Sequence, residues 1–301
     1  MQKTFIHQIF YSEETRRALD SGFIPLDNVN QRPDWCEYWP IRNFIVNHEM
    51  DDDAFYGFLS PKFKAKTGLT AGDVHQFLAC TDASTDIVAF SPFYDAGALF
   101  ANIFRQGAQG HDNAWPVFVE SAGLLAPGSN LETLVMDSRN TIFCNYFLAK
   151  PRFWRHWFRK AEIIFDLAEQ NIHPLGQRLN DCIDHTCGAT PIKAFVIERL
   201  VSLLLATESH WQTRFLNPMS LPLHYPGAGR ISEELVMLDA LKIAAAATGV
   251  RREKVALSSG CKSHPATAPA GSTRSSHGGY EMAEAFGDAC HKLVTARVCR
   301  P

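Results

Sequence analysis

The stretch IFCNYFLAKPRFWRHWF, residues 142–158, is dense in aromatic side chains yet carries Asn145 and Lys150 near its middle. A core strand excludes polar groups unless it reaches a surface that uses them, because an unpaired buried amide or ammonium is costly. The run therefore reads as a buried strand beside a polar surface, followed at once by an aromatic helix over 154–169 on which Trp157, Phe158, Ile164, Phe165 and Leu167 recur.

Working outward, apolar runs at 5–11, 54–60 and 86–90 read as further strands, and 134–136 as a short one before the quoted stretch. Helical patterns fill the intervals: 36–46, 71–80 behind the cap Thr70, 95–105 and 114–125. Thr190-Pro191 opens the apolar helix KAFVIERLVSLLLA, and Ser232 opens a last one that ends at Gly249. Strands alternating with helices predict an α/β fold, with a mixed or mostly parallel sheet flanked by helices.

The chain has 301 residues, 46% of them hydrophobic, so a large core is expected over residues 1–250. Residues 251–301 differ in character: 258–279 contain no Leu, Ile, Val or Phe. Such a segment cannot offset its ordering entropy and reads as a low-complexity, disordered tail, or as sequence foreign to the fold after a shift of reading frame. A net charge of -3 without a basic block argues against nucleic acid as a partner. No run is long enough for a membrane span, and the start lacks an export signal. The expected location is the cytoplasm, with a peripheral station at the inner membrane left open. The eight cysteines are then expected as reduced thiols. Cys182, Asp184, His185 and Cys187 cluster, but without a second ligand pair they read as a polar loop before they read as zinc ligands.

Polar groups collect at three strand ends: Asp27 and Asn28; Ser60 through Lys62; Asn145 through Lys150. Ligands of open α/β sheets bind beyond the carboxyl ends of strands, which makes these residues substrate-binding candidates. Lys62, Lys66 and Lys150 could neutralise a diphosphate, or could be solvated turn residues. Asn145 could bind a sugar hydroxyl or base, or satisfy a loop. Glu198 and Arg199 interrupt an apolar helix, either as a buried clamp or with Glu198 facing a cleft as general base. Asp51-Asp52-Asp53 precedes a strand instead of following one and reads as an acidic turn. Asp95, beyond the 86–90 strand, is better placed as a metal or sugar ligand. The chain has no phosphate-cradling glycine loop, GxSxG elbow or HExxH, which argues against kinases, serine hydrolases, zinc proteases and dinucleotide oxidoreductases.

In order, these pieces resemble the bacterial glycosyltransferases of capsule and surface-polysaccharide clusters, which have a GT-A nucleotide-sugar fold. EYWPIRNF resembles their aromatic helix opening on a glutamate, and FYGFLSPKF their strand ending in a basic-aromatic turn. FCNYFLAKPRFWRHWFRKAEIIFDLAE is similar to their Cys-Asn-x-Phe strand, lysine and following helix, and AFVIERLVSLLL to their Glu-Arg-Leu helix. The likeness covers about residues 5–210. It implies sugar transfer from a nucleotide-diphosphate donor to a growing glycan or lipid-linked acceptor, and places Glu37, Lys62, Asn145, Lys150, Glu198 and Arg199 on matching motifs. Catalysis is expected of Glu198 and Asp95, and donor binding of Asp27, Asn28, Glu37, Lys62, Lys66, Asn145, Lys150 and Arg199. Two departures stand out: SPKF replaces a His-Tyr-Arg-Arg type turn, and no well-placed Asp-x-Asp is present. The metal site thus stays open, with manganese or magnesium as the divalent candidates. A non-catalytic nucleotide- or glycan-binding protein of the same fold is the alternative.

Overall fold

The apolar runs at 5–11, 54–60 and 86–90 become strands of one sheet, joined by two that carry weaker signals; of the stretch from 142 only Phe147–Ala149 does, because residues 143–145 form a turn in which Cys144 and Asn145 are left-handed. A computed structural model describes residues 3–185 and 188–248. Its strands are β1 (Thr4–Phe10), β2 (Ile24–Asp27), β3 (Phe55–Leu59), β4 (Ile87–Ala89), β5 (Phe147–Ala149), β6 (Cys182–His185), β7 (Gly188–Pro191) and β8 (Thr213–Phe215). Six form a sheet of order β2-β1-β3-β5-β4-β8, and β6 pairs with β7 as a separate antiparallel hairpin. The large sheet is mixed: β1, β2 and β3 run parallel, β4 runs parallel to β8, and β5 alone runs antiparallel, between β3 and β4.

Alternation along each strand sorts its side chains onto two buried faces. Tyr56, Phe58, Ile87, Ala89, Phe147 and Ala149 face one side, where helices Tyr38–Asn47, Pro151–Gln170 and Ile192–Thr207 pack. Phe55, Leu59, Val88, Leu148 and Tyr146 face the other, against helices Phe63–Thr67 and Ala71–Ala79. Burial on both faces explains why these strands read as continuous apolar runs. Trp154 ties the first layer to the sheet: its ring stacks on Phe147 with centroids 4.7 Å apart, and its indole N–H donates to the Tyr56 carbonyl at 3.0 Å. Gly57 lies opposite Leu148 in the β3–β5 register, and a Cβ there would come within 2.7 Å of the Leu148 side chain. The lack of a side chain at 57 is what lets β5 enter beside β3.

Several local expectations change. Residues 134–136 form no strand; Met136 instead donates its N–H to the Ala101 carbonyl. The single helix expected over 95–105 is two, Tyr94–Leu99 and Ile103–Gly107, because Asn102 caps the second by accepting from the Arg105 N–H. Thr190 and Pro191 belong to β7, and the helix begins at Ile192. The segment expected as a polar loop around Cys182 and Asp184 is instead the β6–β7 hairpin, while the Cys187 position lies outside the described residues. β2 and β8 lie at the two edges of the sheet, where residues such as Ile24 stay exposed and an apolar pattern is diluted. The expected tail, 251–301, also lies outside the described residues. Among those described, no helix is long and apolar enough to cross a membrane.

Helix Pro174–Leu179 approaches helix Pro151–Gln170 so closely that a Cβ on Gly176 would lie 2.1 Å from the Leu167 carbonyl oxygen. Backbone cannot yield there as a flexible side chain would. Gly176→Ala is therefore expected to cost about 1–3 kcal/mol through overpacking, read as a lowered urea midpoint. An unchanged midpoint would show that the two helices can separate freely.

Candidate active site

The five parallel strands end on one edge of the sheet, and the antiparallel β5 begins there. Residues just past β1, β2 and β3 and just before β5 are therefore neighbours along that edge: Tyr11, Asn28, Ser60 and the segment 144–146. Across β2, β1, β3 and β5 this edge spans three strand spacings, about 14 Å.

The segment before β5 is held in a special backbone. Cys144 and Asn145 are both left-handed, with φ of 61° and 54°. Each such non-glycine residue costs on the order of 1–3 kcal/mol and persists only if its surroundings impose it. Helix Ile192–Thr207 does so. Glu198 accepts the Cys144 N–H at 3.1 Å, and one turn later the Ser202 hydroxyl accepts the Ile142 N–H at 2.8 Å. On the sheet side, Ser91 Oγ accepts the Phe143 N–H at 3.1 Å. A hydrogen bond to a charged acceptor contributes about 1.5–3 kcal/mol, enough to offset one of the two strained residues.

Around this turn ionisable groups gather. Lys66 lies with Nζ 3.1 Å from the Cys144 sulfur. The Tyr11 hydroxyl lies near the Glu37 carboxyl, and the hydroxyls of Ser60 and Tyr146 lie 2.8 Å apart. Burial raises the Glu37 carboxyl above its ordinary value, and the nearby Glu198 carboxylate adds to the rise. Burial pushes the Cys144 thiol up to about 12, again aided by Glu198, so the sulfur is a neutral thiol at neutral pH. For Lys66 burial works against the charge, but the Cys144 sulfur and the Glu198 and Glu37 carboxylates outweigh it and raise its pKa. The cluster therefore holds a firm cation, Lys66, beside the Glu37 and Glu198 carboxyl groups. Glu198 keeps about a third of its side chain exposed (32%), so a ligand can reach it.

Two amides complete the edge. Asn28 and Asn145 are buried, and the side-chain oxygen of each has no hydrogen-bond partner among the described residues, as is also true of His7 Nδ1, Ser121 Oγ and Trp157 Nε1 elsewhere. The loop from Asn28 to Glu37 is anchored from below. Arg32 binds Asp34 at 2.9 Å and also engages Glu169, while the buried Lys193 ammonium donates to Asp34 at 2.7 Å and lies 4.3 Å from the Trp35 ring centre. The Arg32 guanidinium, with Lys193, holds the Asp34 carboxyl at about 2.

Of the residues expected at the site, the structure brings together Asn28, Glu37, Lys66, Asn145 and Glu198. Asp27 is exposed at the same edge and turns its carboxylate onto the Val29 N–H at 2.8 Å. Lys62 is exposed on the turn before helix Phe63–Thr67. Three placements correct the sequence reading. Lys150 follows an antiparallel strand, so it emerges at the opposite edge, where its N–H donates to the Asp86 carbonyl at 2.9 Å and its ammonium engages the Ala83 carbonyl. Asp95 is fully buried, and its carboxylate accepts the backbone N–H groups of His224 and Tyr225 at 2.7–3.0 Å, a structural cap on that loop. Arg199 is buried, donates to the carbonyls of Ile103 and Phe195 at 3.1 and 3.0 Å between the Phe118 and Phe195 rings, and lies 3.7 Å from the Glu198 carboxylate. It acts as the clamp. Asp51 and Asp52 form surface ion pairs with Lys3 and Arg155, as an acidic turn should.

Sequence reasoning missed Tyr11, Cys144 and Tyr146. Each adjoins a strand end or the flagged Asn145, and that adjacency was the available signal. Among the described residues no three His, Cys, Asp or Glu side chains converge as metal ligands. No family model matches this chain, and neither does any curated protein or solved structure.

The raised Glu37 carboxyl has a consequence for stability. A carboxyl whose folded pKa exceeds its unfolded one binds its proton more tightly when folded, so stability falls as pH rises from the ordinary 4.5 through the folded value. Glu37→Gln should flatten this slope in urea unfolding between pH 4.5 and 8. The same slope in variant and parent would show that Glu37 is not the group responsible.

Proposed function

We propose that this chain is a glycosyltransferase of GT-A type that moves a sugar from a nucleotide-diphosphate donor to a growing bacterial surface glycan. The observation that carries the reading is the pair of buried amide oxygens of Asn28 and Asn145, unpartnered among the described residues, on the same sheet edge as Lys66, Glu37 and Glu198. Buried polar atoms are normally satisfied, and an orphan at a strand's carboxyl end is a standing demand for a ligand donor such as a sugar hydroxyl or a base N–H. The mixed sheet with helices on both faces agrees with such a fold without singling it out.

In this reading Lys66 offsets charge developing on the departing diphosphate. Glu198, a third exposed and braced by the Cys144 N–H, takes the proton of the acceptor hydroxyl if the stereochemistry inverts. Glu37, raised and near Tyr11, holds a proton into a higher pH range and hydrogen-bonds the donor. A second reading, a nucleotide- or glycan-binding protein without turnover, is favoured by one feature: Glu198 and Lys66 are both engaged with Cys144, holding one another in place.

Titration with UDP- and GDP-sugars, with and without manganese, separates the two. Release of free nucleotide supports the transferase, binding without release supports the second reading, and no binding in any condition refutes both.

Asn145→Gly tests the carrying observation. Glycine suits the left-handed backbone at this position and removes an oxygen with no partner among the described residues, so the melting temperature should shift little while nucleotide-sugar affinity falls at least tenfold, about 1.4 kcal/mol. A large drop in melting temperature with affinity retained would make Asn145 a structural residue.

A further inference from the structure

The contact between Lys66 and Cys144 sits in the middle of the site, and neither reading of function requires it. The ammonium nitrogen and the sulfur are 3.1 Å apart, hydrogen-bonded, and neither residue is fully enclosed. Both ends are held. Lys66 lies in helix Phe63–Thr67, and the left-handed Cys144 backbone is fixed by the Glu198 carboxylate. Three other cysteines among the described residues, Cys36, Cys80 and Cys182, also carry free thiols.

We infer that Lys66 and Cys144 form a reversible, oxidant-driven sulfur–nitrogen cross-link that closes the site. The oxidant is a peroxide. In the first step the Cys144 sulfur attacks a peroxide oxygen, the O–O bond breaks, and the products are a sulfenic acid on Cys144 and water. In the second, Lys66 gives one ammonium proton to the neighbouring Glu198 or Glu37 carboxylate, and its amine nitrogen attacks the sulfenic sulfur. The S–N bond forms, the S–O bond breaks, and the sulfenic oxygen leaves as a second water, taking up the remaining proton. The net change is the loss of two hydrogens from the protein. Two equivalents of an external thiol reverse it, returning free thiol and amine and leaving a disulfide of the reductant.

The surroundings set the relative rates. A neutral thiol is a poor nucleophile, so the first step is slower at Cys144 than at the exposed Cys80 and Cys182 and quickens as pH rises. The second step is intramolecular between groups already in contact, and it outruns capture of the sulfenic acid by outside reagents or by more peroxide. Closing the link replaces the site's ammonium by an uncharged nitrogen beside Glu37 and Glu198, and once the carboxyl that took its proton has passed it to solvent, the cluster is anionic. On the proposed function, that change expels a nucleotide diphosphate.

The test is peptide mass spectrometry of the full chain after peroxide treatment with a sulfenic-acid trap present. The expected result is a linked pair of peptides containing Lys66 and Cys144, two hydrogens lighter than their sum and released by dithiothreitol, with trap on Cys80 and Cys182 and not on Cys144. Lys66→Arg keeps the positive charge but removes the nucleophilic amine, so trap should then appear on Cys144. Trap on Cys144 in the parent, oxidation to sulfinic acid with Lys66 unmodified, or a link that retains oxygen overturns the proposal. Nucleotide affinity is read in the same samples. Its loss on oxidation and return with dithiothreitol agrees with both proposals. Unchanged affinity in fully linked protein would leave the cross-link standing and refute the placement of nucleotide at Lys66.

Discussion

The grip of one helix on the turn before β5 is the constraint on which the rest of this structure depends. Glu198 and Ser202, one helical turn apart, take the N–H groups of Cys144 and Ile142 and hold two consecutive left-handed residues in place. That turn sends the chain into the sheet antiparallel to its neighbours. Once β5 enters between β3 and β4, Phe147 meets Trp154, Leu148 meets Gly57, and the two buried faces of the sheet are complete. The same turn presents Cys144 and Asn145 at the edge where the parallel strands end. Structure and candidate chemistry are thus carried by the same few hydrogen bonds.

Charge placement around this turn follows a consistent division. Where an ion pair serves the fold, each charge is nearly saturated: Asp34 takes both Arg32 and Lys193, and Asp86 takes Arg152 and the Gln212 N–H. Arg199, buried, spends its donors on carbonyls. At the carboxyl edge the pattern reverses. Two amide oxygens have no partner among the described residues, Glu198 stays partly exposed, and Glu37 is held above the usual carboxylate range. Perturbed acidity together with unmet hydrogen-bonding capacity is what the proposed function draws on.

Much of the candidate site was legible from residue types in context. Asn145 stood out because an amide inside an aromatic strand needs a reason, and Glu198 because a carboxylate inside an apolar helix does. Asn28, Glu37 and Lys66 were found by their position near strand ends or on a matching motif. Tyr11 and Cys144 went unnoticed, since a tyrosine after a strand and a cysteine in an apolar run both look like core. Asp95 and Lys150 were misread for a different reason. Each follows a strand, as a site residue should, but Asp95 caps a loop arriving from residues 224–225 and Lys150 leaves the sheet on its far side.

Periodicity, caps and turn chemistry are properties of neighbouring residues, so the α/β class, most of the helices and the central strands could be read from the chain alone. Strand direction is not such a property. Whether β5 runs with or against β3 depends on which partner's hydrogen bonds it completes and on a helix some fifty residues away, since Glu198 and Cys144 are 54 positions apart. That single reversal moved Lys150 out of the site and brought Cys144 into it. The edge strands β2 and β8, the β6–β7 hairpin and the Lys66–Cys144 contact likewise came from folding, because each is stabilised by groups distant in sequence and leaves little trace in local composition.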